Sequence, residues 1–357
     1  MKKSLFIAGL VGLSTLGAST LTQAADVLHL YNWNNYIAEP TLKRFEASCK
    51  CTVKQEYYDS MEKMLAKLAA GAKGYDILVP TGFALETLVK QKALKPLDKA
   101  QISNLKNINP TYLNTAFDKG NVYSAPYVYS TTILGYNEQK LKELGLPNDT
   151  WALIFDPKYL EKLKGKVTVL DDPVEVMAAA MKYLGYSAND TDEKKLQQAA
   201  EVIKKAKPYW AAFNSTYIPA ISRGDIWIAH GYSSDFYQAN QDVIAAKRKF
   251  TIGFSVPKEG ATMSLDSLVI HKDAPRPDLA MKFINFMLDA KNGAELPNLT
   301  GTGSPNAEAQ KLVKPEVAKN QAIFPDANTM KRLEMLKDTD SKTRRTVNKL
   351  WTQIKVK

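Results

Sequence analysis

At three places in this chain, aromatic rings, carboxylates or both stand where a strand gives way to a turn or helix. The first place is Trp33-Asn34-Asn35-Tyr36, directly after an apolar run; its two rings with amides between them look like a binding platform, although a Trp packed beneath its own loop would read the same way. The second is Asp171-Asp172-Pro173-Val174-Glu175. Helix capping and the helix dipole account for at least one of these acids but do not require all three. The third groups Tyr232-Ser233-Ser234-Asp235 with Asp266. Opposite charges about 4 Å apart near a protein surface attract by roughly 4 kcal/mol, and an aromatic face adds about 0.5 to 2 kcal/mol to a cation. Carboxylates alternating with rings therefore suit an alkyl diamine better than a sugar or an anion.

Catalysis finds little support. HExxH, GxSxG, P-loop and GxGxxG patterns are absent from the sequence. His29, His230 and His271 fall in strand-like runs, where satisfied buried imidazoles are expected. Paired carboxylates could serve a glycosidase, and Tyr57-Tyr58 could be imagined on ferric iron, but an alternating strand points those two tyrosines to opposite faces. No enzyme activity, cofactor or metal site is expected.

The elements that must position these residues alternate strand and helix. Strands are expected at Val27 to Tyr31, Thr52 to Tyr58, Tyr75 to Pro80, Lys166 to Leu170, Ile226 to His230 and Ser267 to Ile270. Helices are expected at Glu39 to Ser48, Ser60 to Ala70, Phe83 to Gln91, Pro173 to Leu184 and Glu193 to Ala206. A βαβαβ opening with short links implies a doubly wound α/β lobe whose ligands sit at the carboxyl ends of its strands. The pattern returns after residue 135, with no repeat and no low-complexity tether. Two such halves joined rigidly form a molecule that closes on a ligand between them.

Lys2 and Lys3, an apolar stretch from Leu5 to about Leu16 and the small residues Thr22 and Ala24 read as a signal peptide cleaved after Ala24. The apolar stretch is too short for a membrane span. The formal charge of +11 becomes +9 without Lys2 and Lys3. The lysines are scattered over helix faces rather than gathered into a stripe with aromatics, so no nucleic-acid partner is expected. A charge spread over the surface is screened beyond about 10 Å, and the local carboxylates dominate any approaching cation. Cys49 and Cys51, the only cysteines, are separated by one residue; two ordinary thiols at a helix-to-strand junction are expected.

LHLYNWNNYI (Leu28 to Ile37), YDILVPT (Tyr75 to Thr81), VLDDPVEV (Val169 to Val176), AAFNS (Ala211 to Ser215), PKEGATMSLDSLVI (Pro257 to Ile270) and FPDANTMKRL (Phe324 to Leu333) together resemble the spermidine/putrescine-binding components of bacterial ABC importers. That resemblance implies the type II periplasmic-binding-protein fold, with two doubly wound α/β lobes joined by a two-crossing hinge. It places one lobe at 25–134 plus 265–311 and the other at 135–264 plus 312–357. It also implies a monomer that carries a small organic amine, a putrescine-like diamine or spermidine, to a membrane permease; a periplasmic sensor serving a signalling receptor is the alternative. By the same resemblance, Trp33, Asn34, Tyr36, Thr81, Phe83, Asp172, Glu175, Ser215, Tyr232, Asp235 and Asp266 line the ligand site. Lys337 aligns where a lysine discourages a distal ammonium. Ser264 and Thr302 stand where the family carries aromatics, which implies a wider and wetter pocket.

Overall fold

The computed structural model describes residues 26–58 and 60–356; the expected signal peptide, residues 1–24, lies outside them. Among the described residues eleven strands form one continuous sheet. They are β1 (Asp26–Trp33), β2 (Cys51–Tyr58), β3 (Ile77–Leu78), β4 (Leu94–Lys95), β5 (Ser124–Asn137), β6 (Val167–Val169), β7 (Ala212–Phe213), β8 (Ile228–Tyr232), β9 (Ile252–Ser255), β10 (Ala261–His271) and β11 (Leu333–Met335). The main path runs β2-β1-β3-β10-β5-β8-β6-β7, with β4 and β11 on β10 and β9 on β5. At one end β2, β1 and β3 are parallel, and at the other β8, β6 and β7 are parallel. Each parallel set needs helical crossovers to return the chain. Helices Glu39–Cys49 and Met61–Ala69 supply them in the first set, and Pro173–Tyr183 and Glu193–Ala206 lie between β6 and β7 in the second.

The two parallel ends are joined by the long antiparallel pair β5 and β10. The first half of β5 pairs with β10, and its second half pairs with β8 and β9. The boundaries expected at 134/135 and 264/265 both fall inside these strands. β5 has the sequence SAPYVYSTTILGYN and is buried along its whole length. A strand covered on both faces loses the alternation that betrays a half-exposed one, and Pro126 sits at the register shift opposite Ser267. β10 runs well beyond the expected Ser267 to Ile270, whereas Tyr75 to Pro80 contributes only Ile77 and Leu78 as ladder residues.

Packing divides along the same line. Phe45, Ile77, Val79, Tyr129, Leu268 and Phe283 belong to one core, and Trp151, Phe155, Val169, Met177, Ile203 and Phe236 belong to another. The C-terminal segment returns to the second core, where Leu350 and Ile354 of helix Ser341–Val356 are buried. Among the described residues no helix is long and apolar enough to cross a membrane.

Two expectations are corrected. Cys49 and Cys51 are not free thiols but a disulfide. Cys49 ends its helix, Lys50 turns left-handed at φ 53°, and Cys51 opens β2, which brings the Cα atoms to 5.2 Å, inside the range a disulfide spans. The histidines do lie in strands, but His230 is fully buried with neither ring nitrogen hydrogen-bonded. Burial alone pushes its pKa down to about 3, so it is a neutral ring packed edge-on to Trp151 at 5.4 Å. We predict that the native protein takes up no alkylating reagent until it is reduced and then takes up two equivalents, read by intact mass.

Candidate functional site

The carboxyl ends of β1 and β2 meet at the register pair Trp33 and Tyr58. Their rings pack at 4.7 Å, and Tyr36, reached through a turn in which Asn35 is left-handed at φ 55°, stands 6.4 Å from Trp33. The Tyr36 hydroxyl donates to Asp266 Oδ2 at 2.5 Å. Asp266 lies on β10 and is bridged to Thr81, which opens helix Gly82–Lys90 as its N-cap residue. Tyr58 and Tyr127 close around the same carboxylate, since its charge acts on both phenols. Their hydroxyls are anchored on backbone, Tyr58 to Val79 O at 2.5 Å and Tyr127 to Tyr36 O at 2.7 Å.

The facing group comes from the ends of β6 and β8. Asp172 caps helix Pro173–Tyr183, accepting from the backbone of Val174 and Glu175. That helix turns Glu175 inward, where Glu175 Oε2 accepts from Thr262 Oγ1 at 2.7 Å. Asp171 points elsewhere and is neutralised by Lys355 at 2.7 Å. Tyr232 ends β8, and Asp235 follows in the first turn of helix Ser233–Ala245. Tyr217 ties these two together: its hydroxyl donates to Asp235 Oδ2 at 2.8 Å and accepts from Tyr232 N at 2.8 Å. Gly231 makes room for that hydroxyl, because a Cβ there would lie 1.9 Å from it.

One ring shows that the two groups converge. The Tyr232 phenol is raised well above its usual pKa by burial and then by the charges of Glu175, Asp172, Asp235 and Asp266. Four carboxylates thus act on a single tyrosine. Among the described residues none of the four has a Lys or Arg partner within ion-pair distance, and Asp266 Oδ1 is buried with no hydrogen bond. Burial pushes Asp266 up to about 7 against the relief given by Tyr36. Burial and the neighbouring charge of Asp172 push Glu175 up to about 7 against Thr262 and Thr132. Asp172 and Asp235 are raised for the same first reason, burial. An ionised carboxylate taken from water costs several kcal/mol unless a partner replaces the solvent. A cation placed among these carboxylates would supply such a partner.

The site therefore brings together Trp33, Tyr36, Thr81, Asp172, Glu175, Tyr232, Asp235 and Asp266. Asn34 is exposed in its turn, Phe83 packs half-buried against the core containing Met61 and Leu85, and Ser215 accepts from the backbone of Asp171 at 3.1 Å. Lys337 is exposed, with its backbone nitrogen donating to Asn189 Oδ1 at 2.9 Å. Among the described residues no hydrogen bond or ion pair joins these four side chains to the acids. Thr302 is buried, its hydroxyl 3.1 Å from that of Thr300. From the sequence, Tyr58 reads as one of a structural pair in an alternating strand rather than as a ligand-site residue, and Tyr127 and Tyr217 are not singled out. Tyr58 could have been found as the β2 residue that ends level with Trp33; Tyr127 and Tyr217 carry no local signal.

A match to the bacterial extracellular solute-binding protein family spans residues 41–325. The chain belongs to that family. Such proteins bind and present solutes; they are not enzymes. Across its full length and the full length of the relative, this solute-binding protein is 53% identical to a putrescine/cadaverine-binding protein of Pseudomonas aeruginosa. It is 35% identical to a putrescine-binding periplasmic protein of Escherichia coli, over 98% of this chain and 97% of that one. A spermidine/putrescine ABC transporter substrate-binding protein from Streptococcus pneumoniae superposes with a TM-score of 0.83 at 29% identity, covering 93% of this chain and 99% of the other. The fold is accordingly the type II periplasmic-binding-protein fold, with two doubly wound α/β lobes.

The raised carboxyls fix a pH dependence. Between about pH 4, where the carboxyls of the unfolded chain titrate, and about pH 7, where Asp266 and Glu175 titrate in the fold, the folded state holds more protons than the unfolded one. Stability of the ligand-free protein must then fall as pH rises across that window. Thermal melts from pH 4.5 to 8 should show this decline, and Asp266→Asn with Glu175→Gln should flatten it. Gly231→Ala, which drives a methyl into the Tyr217 hydroxyl, should cost about 1–3 kcal/mol of stability, measured by denaturant unfolding.

Proposed function

We propose that this solute-binding protein captures a small polyamine, a putrescine-like diamine or spermidine, in the cleft between its lobes and delivers it to the membrane permease of an ABC importer. The observation that carries the reading is Asp266, whose carboxylate is buried with one oxygen unpartnered and, among the described residues, no basic side chain in ion-pair contact. An alkyl ammonium supplies the charge and the donors together, and Trp33, Tyr36, Tyr58 and Tyr232 cover its methylenes. Glu175, Asp172 and Asp235 offer a second cationic end its partners. The names of the P. aeruginosa and E. coli relatives support the same ligand class.

In this proposal the lobes are 25–134 with 265–311 and 135–264 with 312–357, so their boundaries lie within β5 and β10 and closure is a bend of those two strands. Asn34, Phe83, Ser215 and Lys337 belong to the ligand-contact set on family resemblance alone. The protein works as a periplasmic monomer after removal of residues 1–24, with no nucleic-acid partner.

Calorimetric titration with putrescine, cadaverine, spermidine and agmatine tests the reading. At least one should bind with micromolar or better affinity, and absence of heat with all four would end the polyamine assignment. Losing one partner of a buried charge pair costs about 2–5 kcal/mol, so Asp266→Asn should weaken the best ligand by about 30-fold or more. Unchanged affinity in that variant would place the site elsewhere.

A further inference from the structure

The floor of the cleft is a strip of hydroxyls. Thr262, Ser264 and Asp266 recur at every second residue of β10 and so share one face of the sheet. β5 sets Thr132 opposite Thr262 and Ser130 opposite Ser264, and Thr81 stands opposite Asp266 on the other side. Directly paired residues present their side chains to the same face. The strip therefore runs from Thr81 and Asp266, past Ser264 and Ser130, to Thr262 and Thr132, where Glu175 receives it. Four residue steps of strand separate its two ends, about 13 Å at the usual rise.

Part of the strip is already engaged, since Thr262 and Thr132 both bond Glu175. The rest is not. The Ser264 hydroxyl reaches only the Ser130 carbonyl, at a long 3.5 Å. Thr81 Oγ1 is buried without a partner, and so is Trp33 Nε1 in the ring cluster beside Tyr36 and Tyr58. An indole N–H can only donate, and so can an ammonium group. A simple diamine, however well its ends fit the acids, brings no acceptor to Trp33 and only methylenes to the floor, and buried polar groups left unmatched weaken the complex.

We propose that the cleft prefers amines bearing a hydrogen-bond acceptor, a hydroxyl, ether or amide oxygen, on the chain between their two ends. Trp33 Nε1, Thr81 Oγ1 and Ser264 Oγ are the donors that read it, while the carboxylates hold the ammonium. This rests on the amine-binding reading and narrows it.

The test is a calorimetric comparison of 1,5-diaminopentane with 1,5-diamino-3-oxapentane on the mature chain at pH 7.5. The two dications have nearly the same length and differ by one ether oxygen. The oxygen analogue should bind at least fivefold tighter to the unaltered protein. That advantage should shrink to less than twofold in Ser264→Ala or in Trp33→Phe, each checked for an unchanged fold by circular dichroism. Equal affinities, as expected if a trapped water already serves these donors, would overturn the proposal. So would an advantage that survives both substitutions. If neither compound nor any polyamine binds, the amine reading itself has failed and this one falls with it; a diamine that binds with no gain from oxygen overturns only the preference.

Discussion

Four carboxylates gathered about Tyr232, with no basic side chain among the described residues to answer them, is the constraint on which the rest of the architecture depends. Left ionised and dry, each would oppose folding by several kcal/mol. The chain tolerates them by letting Asp266 and Glu175 hold protons near neutral pH, by giving Asp172 the helix N-terminus, and by donating to Asp235 from Tyr217. None of these devices supplies a positive charge. Asp171, one residue from Asp172, shows the contrast: it has Lys355, is exposed, and takes no part in the cleft. The overall excess of lysine does not relieve the site, because those charges stand on the surface where solvent and salt screen them.

Bringing those acids together is the work of the sheet. Asp266 comes from β10, Glu175 and Asp172 from the helix after β6, and Asp235 from the helix after β8. Strands end in step because their ladders hold them in register, so residues at the ends of β6 and β8 meet one another and approach Asp266 in the middle of β10 without a dedicated scaffold. Packing refines the positions. Tyr217 is buried and bonds two site residues at once, and Gly231 is small because that tyrosine needs the space. The aromatic wall is likewise held in place: Tyr58 and Tyr127 are tied to backbone carbonyls, Tyr36 to Asp266, and Trp33 packs against Tyr58.

Much of this was legible beforehand, for reasons that can be named. Helix Glu193–Ala206 has a capping Asp192 and a clean apolar face, and its expected and observed limits coincide. Trp33, Tyr36 and the Asp172–Glu175 pair stood out because polar and aromatic residues at strand ends break the core pattern. β5 was illegible, since burial on both faces erases periodicity and its serines and threonines look like loop. Tyr127 and Tyr217 were hidden because only tertiary structure carries them to the acids, 139 and 18 residues away in sequence for Tyr127 to Asp266 and Tyr217 to Asp235 respectively. The disulfide was misjudged because spacing alone does not reveal that Lys50 turns left-handed.

The interleaving of the sheet also bears on how the chain is made. β3 lies between β1 and β10, so the β2-β1-β3 end of the sheet keeps β3 open on one side until residues 261–271 have been synthesised. By then all of β5 to β9 has preceded them. Pairings so distant in sequence form slowly, since a long loop must close before any contact rewards it. A nascent chain of this topology stays unfinished through most of its synthesis, and an unfinished chain is one that a narrow secretion channel can still thread.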